Sequence, residues 1–150
     1  MLKVARFILS GVVFFGGSLI LGLLVLVRPF NPKMALLWAR WIPPVALKLL
    51  NLEVEIRNHG RMKAHHPCVY ISNHQHALDL FVHASTLSVP TVAIGKREVK
   101  WIPLFGWVFW LTGMVFINRQ HRGSAMESMQ DATKAILEKG YSVWMFVEGT

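Results

Sequence analysis

Apolar residues run without a charge from Phe7 to Val27, bounded by Lys3 and Arg6 before the run and Arg28 after it. As an α-helix the run measures about 31 Å, enough to cross a hydrocarbon core of about 30 Å. The pattern predicts a membrane-embedded segment that either spans or dips in and returns. A secretory signal shares the basic start, but this run is longer than a typical signal core and no small-residue cleavage site precedes Arg28-Pro29. Gly11, Gly16, Gly17 and Gly22 permit either close helix contact or a bend. From Pro32 to Leu50 the pattern changes. Lys33, Arg40 and Lys48 fall within about 80° of one another at helical spacing, and Met34, Leu36, Leu37, Trp38, Trp41 and Ile42 occupy the remaining surface. That arrangement predicts a helix lying in the headgroup layer, broken or kinked at Pro43-Pro44.

From Leu52 onward the rhythm is that of an α/β domain. Leu52, Val54 and Ile56 alternate with Glu53, Glu55 and Arg57, which predicts a half-exposed strand. A polar loop follows through Gly60 to Pro67. Apolar strands are predicted at 68–71, 91–94, 114–117 and 143–147, and helices at 77–87, about 98–111 and 125–139. Asn73 is a candidate cap for the first helix. Ser124-Ala125-Met126-Glu127 reads as a capping box for the last, and Gly140 as its stop. Strands alternating with helices imply βαβ units and a mostly parallel sheet with flanking helices. The expected organisation is membrane-anchoring helices over 1–50 and, over 51–150, the N-terminal part of a catalytic domain.

Charge narrows the possible partners. The chain carries 16 Lys and Arg against 8 Asp and Glu, a net +8, yet 53% of its residues are hydrophobic. A nucleic-acid binder gathers such charge on one polar face. Here the cations are dispersed beside Trp, Phe and Leu, which suits an anionic membrane surface and excludes nucleic acid as the expected partner. More positive charge follows the apolar run than precedes it, so the positive-inside tendency puts the remainder in the cytoplasm. Cys68 is the single cysteine; no intrachain disulfide can form, and within an apolar strand it reads as a small core residue.

The chemistry-bearing segment is Asn73-His74-Gln75-His76-Ala77-Leu78-Asp79. A histidine that lifts a proton from a hydroxyl works best when a second group fixes its tautomer and steadies the imidazolium. Five residues of regular helix sweep about 500°, so His74 and Asp79 meet only if His74 sits in the turn before a helix and Asp79 in its first turns. Sites in parallel sheets form at the C-terminal ends of strands, where His74, Lys96, Arg119 and Glu148 are all predicted to lie. Arg119 offers a planar fork suited to phosphate oxygens, or is a surface arginine in a loop. Lys96 and Arg97 are phosphate ligands or part of a solvated loop. Glu148-Gly149-Thr150 ends a buried strand with a carboxylate, a flexible backbone position and a hydroxyl, or is a plain strand-to-loop turn. The almost wholly apolar stretch from Trp101 to Leu111 is a core helix or a slot for an acyl chain.

Taken in order, Asn73-His74-x4-Asp79, Gly95-Lys96 with Trp101-Ile102-Pro103-Leu104-Phe105-Gly106, Phe116-Ile117-Asn118-Arg119 and Phe146-Val147-Glu148-Gly149-Thr150 resemble successive motifs of the 1-acyl-glycerol-3-phosphate acyltransferase family, the bacterial PlsC type. The resemblance runs over nearly the whole chain. It implies transfer of a fatty acyl group from acyl-CoA or acyl-acyl carrier protein to the sn-2 hydroxyl of lysophosphatidic acid, giving phosphatidic acid in phospholipid biosynthesis. It also implies a place on the cytoplasmic side of the cell inner membrane, beside membrane phospholipid. His74 is then the base and Asp79 its orienting partner. Lys96 and Arg119 bind the substrate phosphate, and Glu148, Gly149 and Thr150 hold the glycerol phosphate. No cofactor and no metal are implied, the acyl donor being a co-substrate. Three positions depart from the pattern: Val147 stands in place of a proline, the arginine expected after Thr150 is absent, and His76 replaces a small polar residue. The chain thus resembles the N-terminal two-thirds of such an enzyme.

Two other readings compete. A metal-dependent hydrolase would use His74, His76, Asp79 and His83 as ligands, but Leu78 and Asp79 occupy positions where the metallo-β-lactamase-like pattern needs an acid and a histidine. The other is an inactive or incomplete membrane-anchored fragment.

Overall fold

The computed structural model describes residues 2–58, 60–118 and 122–146. Helix α1 (Leu2–Val25) is long and apolar enough to cross a membrane, and most of its surface is open. Its C-terminal half nevertheless packs on the domain, through Leu21 and Val25. Two of its glycines mark helix contacts: a Cβ on Gly17 would collide with Ile42, and one on Gly22 would press on Val108. Helix α2 (Pro32–Leu49) starts where Asn31 Oδ1 accepts the Lys33 amide hydrogen and Pro32 occupies the first turn, whose donor has no helical partner anyway. It stops in a Schellman motif: Asn51 adopts φ 59°, and the amides of Asn51 and Leu52 donate to the carbonyls of Lys48 and Leu47.

One expectation for α2 needs correction. Pro43 and Pro44 lie inside the helix and do not break it. Each removes one backbone donor from the helix ladder, and Pro43 is buried. On the same helix Trp38, Ala39, Ala46 and Leu47 are buried against neighbouring elements. Arg40, Trp41 and Lys48 remain on the exposed side.

The expected strand at 52–57 is absent: residues 52–56 form no regular structure, and Leu52 and Ile56 are exposed. Alternation makes a strand only where a neighbour accepts its backbone hydrogen bonds. Helix α3 (Gly60–Ala64) occupies part of the predicted polar loop. The domain then runs β1 (Val69–Ser72), α4 (Asp79–Thr86), β2 (Thr91–Lys96), a 3-10 turn at Arg97–Trp101, α5 (Phe105–Leu111), β3 (Val115–Ile117), α6 (Arg122–Lys139) and β4 (Ser142–Phe146). The four strands are parallel, in the order β1-β4-β2-β3. The α/β class with a mostly parallel sheet and an apolar helical N-terminal segment is therefore as expected.

Strand β2 shows why the two faces differ. Thr91 and Ala93 line the side packed by α2, α4 and α5, and Gly95 faces Phe109 of α5. Val92, with Ile94 and Val143, builds a second cluster on the side of α6. Small residues on the first face leave room there. The single helix predicted for 98–111 is divided at Ile102–Leu104, with Leu104 at φ 61°. Helix α6 already includes Arg122 and Gly123, so Ser124 does not cap it, while Gly140 ends it at φ 63°.

Candidate active site

After β1 the chain turns through Asn73 to Leu78 before α4 begins at Asp79. Asn73 is not the cap; Leu78 holds that place without a side-chain bond. The turn is closed instead by Asp79, whose Oδ2 accepts the amide hydrogens of Gln75 at 2.7 Å and His76 at 2.8 Å. The His76 amide is the main reason the Asp79 carboxyl sits below the usual carboxylate range; the Gln75 amide and the nearby imidazoles of His74 and His83 act in the same direction, against partial burial.

This folding brings His74 Nδ1 to 3.5 Å from Asp79 Oδ2. The two groups that the spacing paired are thus neighbours. Nδ1 is buried and makes no hydrogen bond at that distance. An approach of about half an ångström would bring it to ordinary N–H···O length. Catalytic contacts are often long before substrate binds. The imidazole stacks on Phe146 at the end of β4, with centroids 4.5 Å apart and planes at 28°. Phe146 therefore supports the ring from a strand 72 positions away, a role local spacing did not reveal. The His83 ring packs beside Phe146 and Trp144, at 5.4 and 5.3 Å. Its Nε2 lies 3.2 Å from the Asn73 carbonyl oxygen. A carbonyl only accepts, so Nε2 carries the proton. Burial is the largest cause pushing the His83 pKa down.

His74 opens onto a cleft of about 280 Å³ at the carboxyl ends of β1, β2 and β4. Lys96 stands at its rim, and Leu80, Ala93, Gly95, Ile102, Phe105 and Phe109 form its apolar walls. Leu80, Ala93, Phe105 and Phe109 also wall a second, almost wholly apolar cavity of about 80 Å³, which Leu21 of α1 and Trp38 of α2 line as well. Part of the Trp101–Leu111 stretch therefore does line a slot, while Trp101, Trp107 and Trp110 point to solvent. Arg119, Glu148, Gly149 and Thr150 lie outside the described residues. Among the described residues no three His, Cys, Asp or Glu side chains converge as metal ligands. His76 Nδ1 and His83 Nε2 are each engaged with the backbone.

Fold and site together define an α/β protein with a histidine–aspartate pair at the carboxyl edge of a parallel sheet, facing an apolar cleft. Comparison with known proteins makes the class specific: the acyltransferase family model matches residues 53–150, and the chain belongs to that family. It is 34% identical over 125 residues to the 1-acyl-sn-glycerol-3-phosphate acyltransferase of Escherichia coli K12, covering 83% of this chain and 51% of that protein. The Haemophilus influenzae protein of the same name is 36% identical over 124 residues, with the same coverage. A human 1-acyl-sn-glycerol-3-phosphate acyltransferase alpha is 36% identical over 102 residues, 68% of this chain and 36% of its own. The chain thus spans about half the length of the bacterial relatives it matches. The crystal structure of the 1-acyl-sn-glycerophosphate acyltransferase PlsC from Thermotoga maritima superposes with a TM-score of 0.69 at 21% identity, covering 100% of this chain and 63% of that one, and shows the shared fold.

Proposed function

We propose that the chain transfers a fatty acyl group from acyl-CoA or acyl-acyl carrier protein to the sn-2 hydroxyl of 1-acyl-glycerol-3-phosphate, forming phosphatidic acid. The observation that carries this reading is the 3.5 Å approach of His74 Nδ1 to Asp79 at the mouth of the apolar cleft. With Nδ1–H turned to the carboxylate, Nε2 is left to take a proton. An alcohol is a poor nucleophile until a base removes that proton, and neutral imidazole is suited to the task near pH 7. The glycerol oxygen attacks the thioester carbonyl as its proton passes to His74. The tetrahedral intermediate then collapses, the C–S bond breaks, and the imidazolium returns the proton to the departing thiolate. The new ester remains with the lipid and the free thiol leaves with the donor. No acyl-enzyme is needed.

The exposed position of Lys96 at the cleft rim supports a role for it in binding the acceptor's phosphate. Arg119 is assigned the same partner, and Glu148, Gly149 and Thr150 the glycerol phosphate, on motif resemblance. The cleft and the cavity behind it give an acyl chain an apolar path toward α1 and α2. Residues 1–50 would hold the domain at the cytoplasmic side of the inner membrane, with 51–150 supplying the N-terminal part of the catalytic domain. The exposed apolar side of α1 and the basic, Trp-bearing side of α2 support that placement.

The test is phosphatidic acid formation in lipid vesicles containing lysophosphatidic acid, with acyl-CoA and acyl-acyl carrier protein supplied in turn. One thiol should be released per ester formed. His74→Ala should lower the rate by at least about a hundredfold, the lower range for loss of a general base. Near-normal turnover by that variant would remove the assignment.

A further inference from the structure

His83 plays no part in the proton transfer described above, yet it holds the backbone beside the base. Asp79 and His83 are separated by one helical turn, so both project from the same face of α4. Asp79 takes the amide hydrogen of Gln75, which belongs to the peptide joining residues 74 and 75. His83 gives its Nε2 hydrogen to the Asn73 carbonyl, which belongs to the peptide joining residues 73 and 74. The two peptide planes flanking His74 are therefore both held by side chains of one helix. Fixing both planes fixes φ and ψ at His74, and with them the direction of its Cα–Cβ bond.

We propose that His83 is a positioning residue for the base, holding the peptide before His74 while Asp79 holds the peptide after it. The proposal rests on the reading of His74 as base and deepens it. His83 is itself kept in place by its packing on Trp144 and Phe146, and Trp144 is anchored by an indole N–H donated to Ser72 Oγ at 2.7 Å. These side-chain contacts tie α4 to the ends of β1 and β4 around the turn. The titratable groups near His83 are His74 and Asp79. Neutral or protonated, the ring donates from Nε2, so the hold does not depend on its charge.

Two substitutions separate hydrogen bonding from packing. His83→Phe keeps a planar ring against Trp144 and Phe146 but has no donor. His83→Gln can place its amide nitrogen near the Nε2 position and donate. In the vesicle assay His83→Phe should lose about ten- to a hundredfold in kcat, the scale of a base displaced by a fraction of an ångström to an ångström, with KM for either substrate within about twofold. His83→Gln should recover most of that loss. If His83→Phe matches the unmodified protein while His74→Ala is inactive, the positioning role is wrong and the base assignment stands. If His74→Ala is itself active, the underlying reading fails. Equal impairment of the Phe and Gln variants also overturns the proposal. A readout independent of any variant's folding is the ¹⁵N spectrum of the unmodified protein: neutral His83 is expected in the Nε2–H tautomer, and an Nδ1–H tautomer overturns the hold on Asn73.

Discussion

The imidazole of His74 lies nearly parallel to the Phe146 ring, centroids 4.5 Å apart and planes at 28°. One residue comes from the turn after the first strand and the other from the end of the fourth. They meet because β4 inserts beside β1, with Ser72 opposite Phe146 in the register. Phe146→Ala removes the surface on which the ring rests. It is expected to lower kcat roughly two- to twelvefold, matching the ~0.5–1.5 kcal/mol that an aromatic pair carries beyond its buried area. Initial rates at saturating substrates test this, and an unchanged kcat would mean the stacking does not position the base.

Asp79 makes the turn depend on acid. Its folded carboxyl titrates below the unfolded value, principally through the His76 amide. The unfolded chain therefore binds the proton first as pH falls, and the stabilisation is fully present above the unfolded pKa of about 4 and disappears as pH drops through the lower folded value. Thermal melts should show Asp79→Asn less stable than the unmodified protein above about pH 5, with the gap closing as pH falls through the lowered folded value. A gap that persisted below that value would place its origin elsewhere.

Lys96 is exposed at the cleft rim, so solvent screens its charge. Lys96→Met should raise KM for lysophosphatidic acid by about two- to fivefold, the scale of an exposed ion pair, with a smaller change in kcat. The difference should shrink at high salt. A large fall in kcat with unchanged KM would point to a role other than phosphate recruitment.

Ala93 borders both the cleft and the cavity behind it. Ala93→Leu fills that junction with three extra carbons. Discrimination of long from short acyl donors, measured as kcat/KM over a chain-length series, should move toward short chains by about tenfold or more. A uniform loss across the series would show that the acyl chain takes another path.

Gly106 lies in the first turn of α5, against the preceding 3-10 turn. A Cβ there would collide with the backbone carbonyls of Val99 and Lys100, which have no flexible side chain to yield. Gly106→Ala should destabilise the protein by about 1–3 kcal/mol, the usual cost of overpacking. Chemical denaturation in detergent measures it, and a neutral result would mean that α5 shifts freely.

Local pattern carried a good part of this protein. The apolar run, the βαβ rhythm, the glycine that ends α6 and the pairing of His74 with Asp79 across a turn all follow from residues close in sequence. Sequence also misled where a local signal needed a partner it did not have. The alternation at 52–57 found no neighbouring strand, and the paired prolines lie within an unbroken α2. His83 could have been suspected from its place four residues after Asp79, on the same helical face.

What the chain determined by itself was the kind of chemistry and the elements that bear it, because spacing, capping and polarity act over a few residues. Only the tertiary structure decided that Phe146 lies against His74, that Gly95 admits Phe109, and that α1 and α2 help line an apolar cavity. Those contacts depend on strand order and helix packing, which join residues far apart in the chain, and hydrophobic pattern alone is compatible with more than one such assembly.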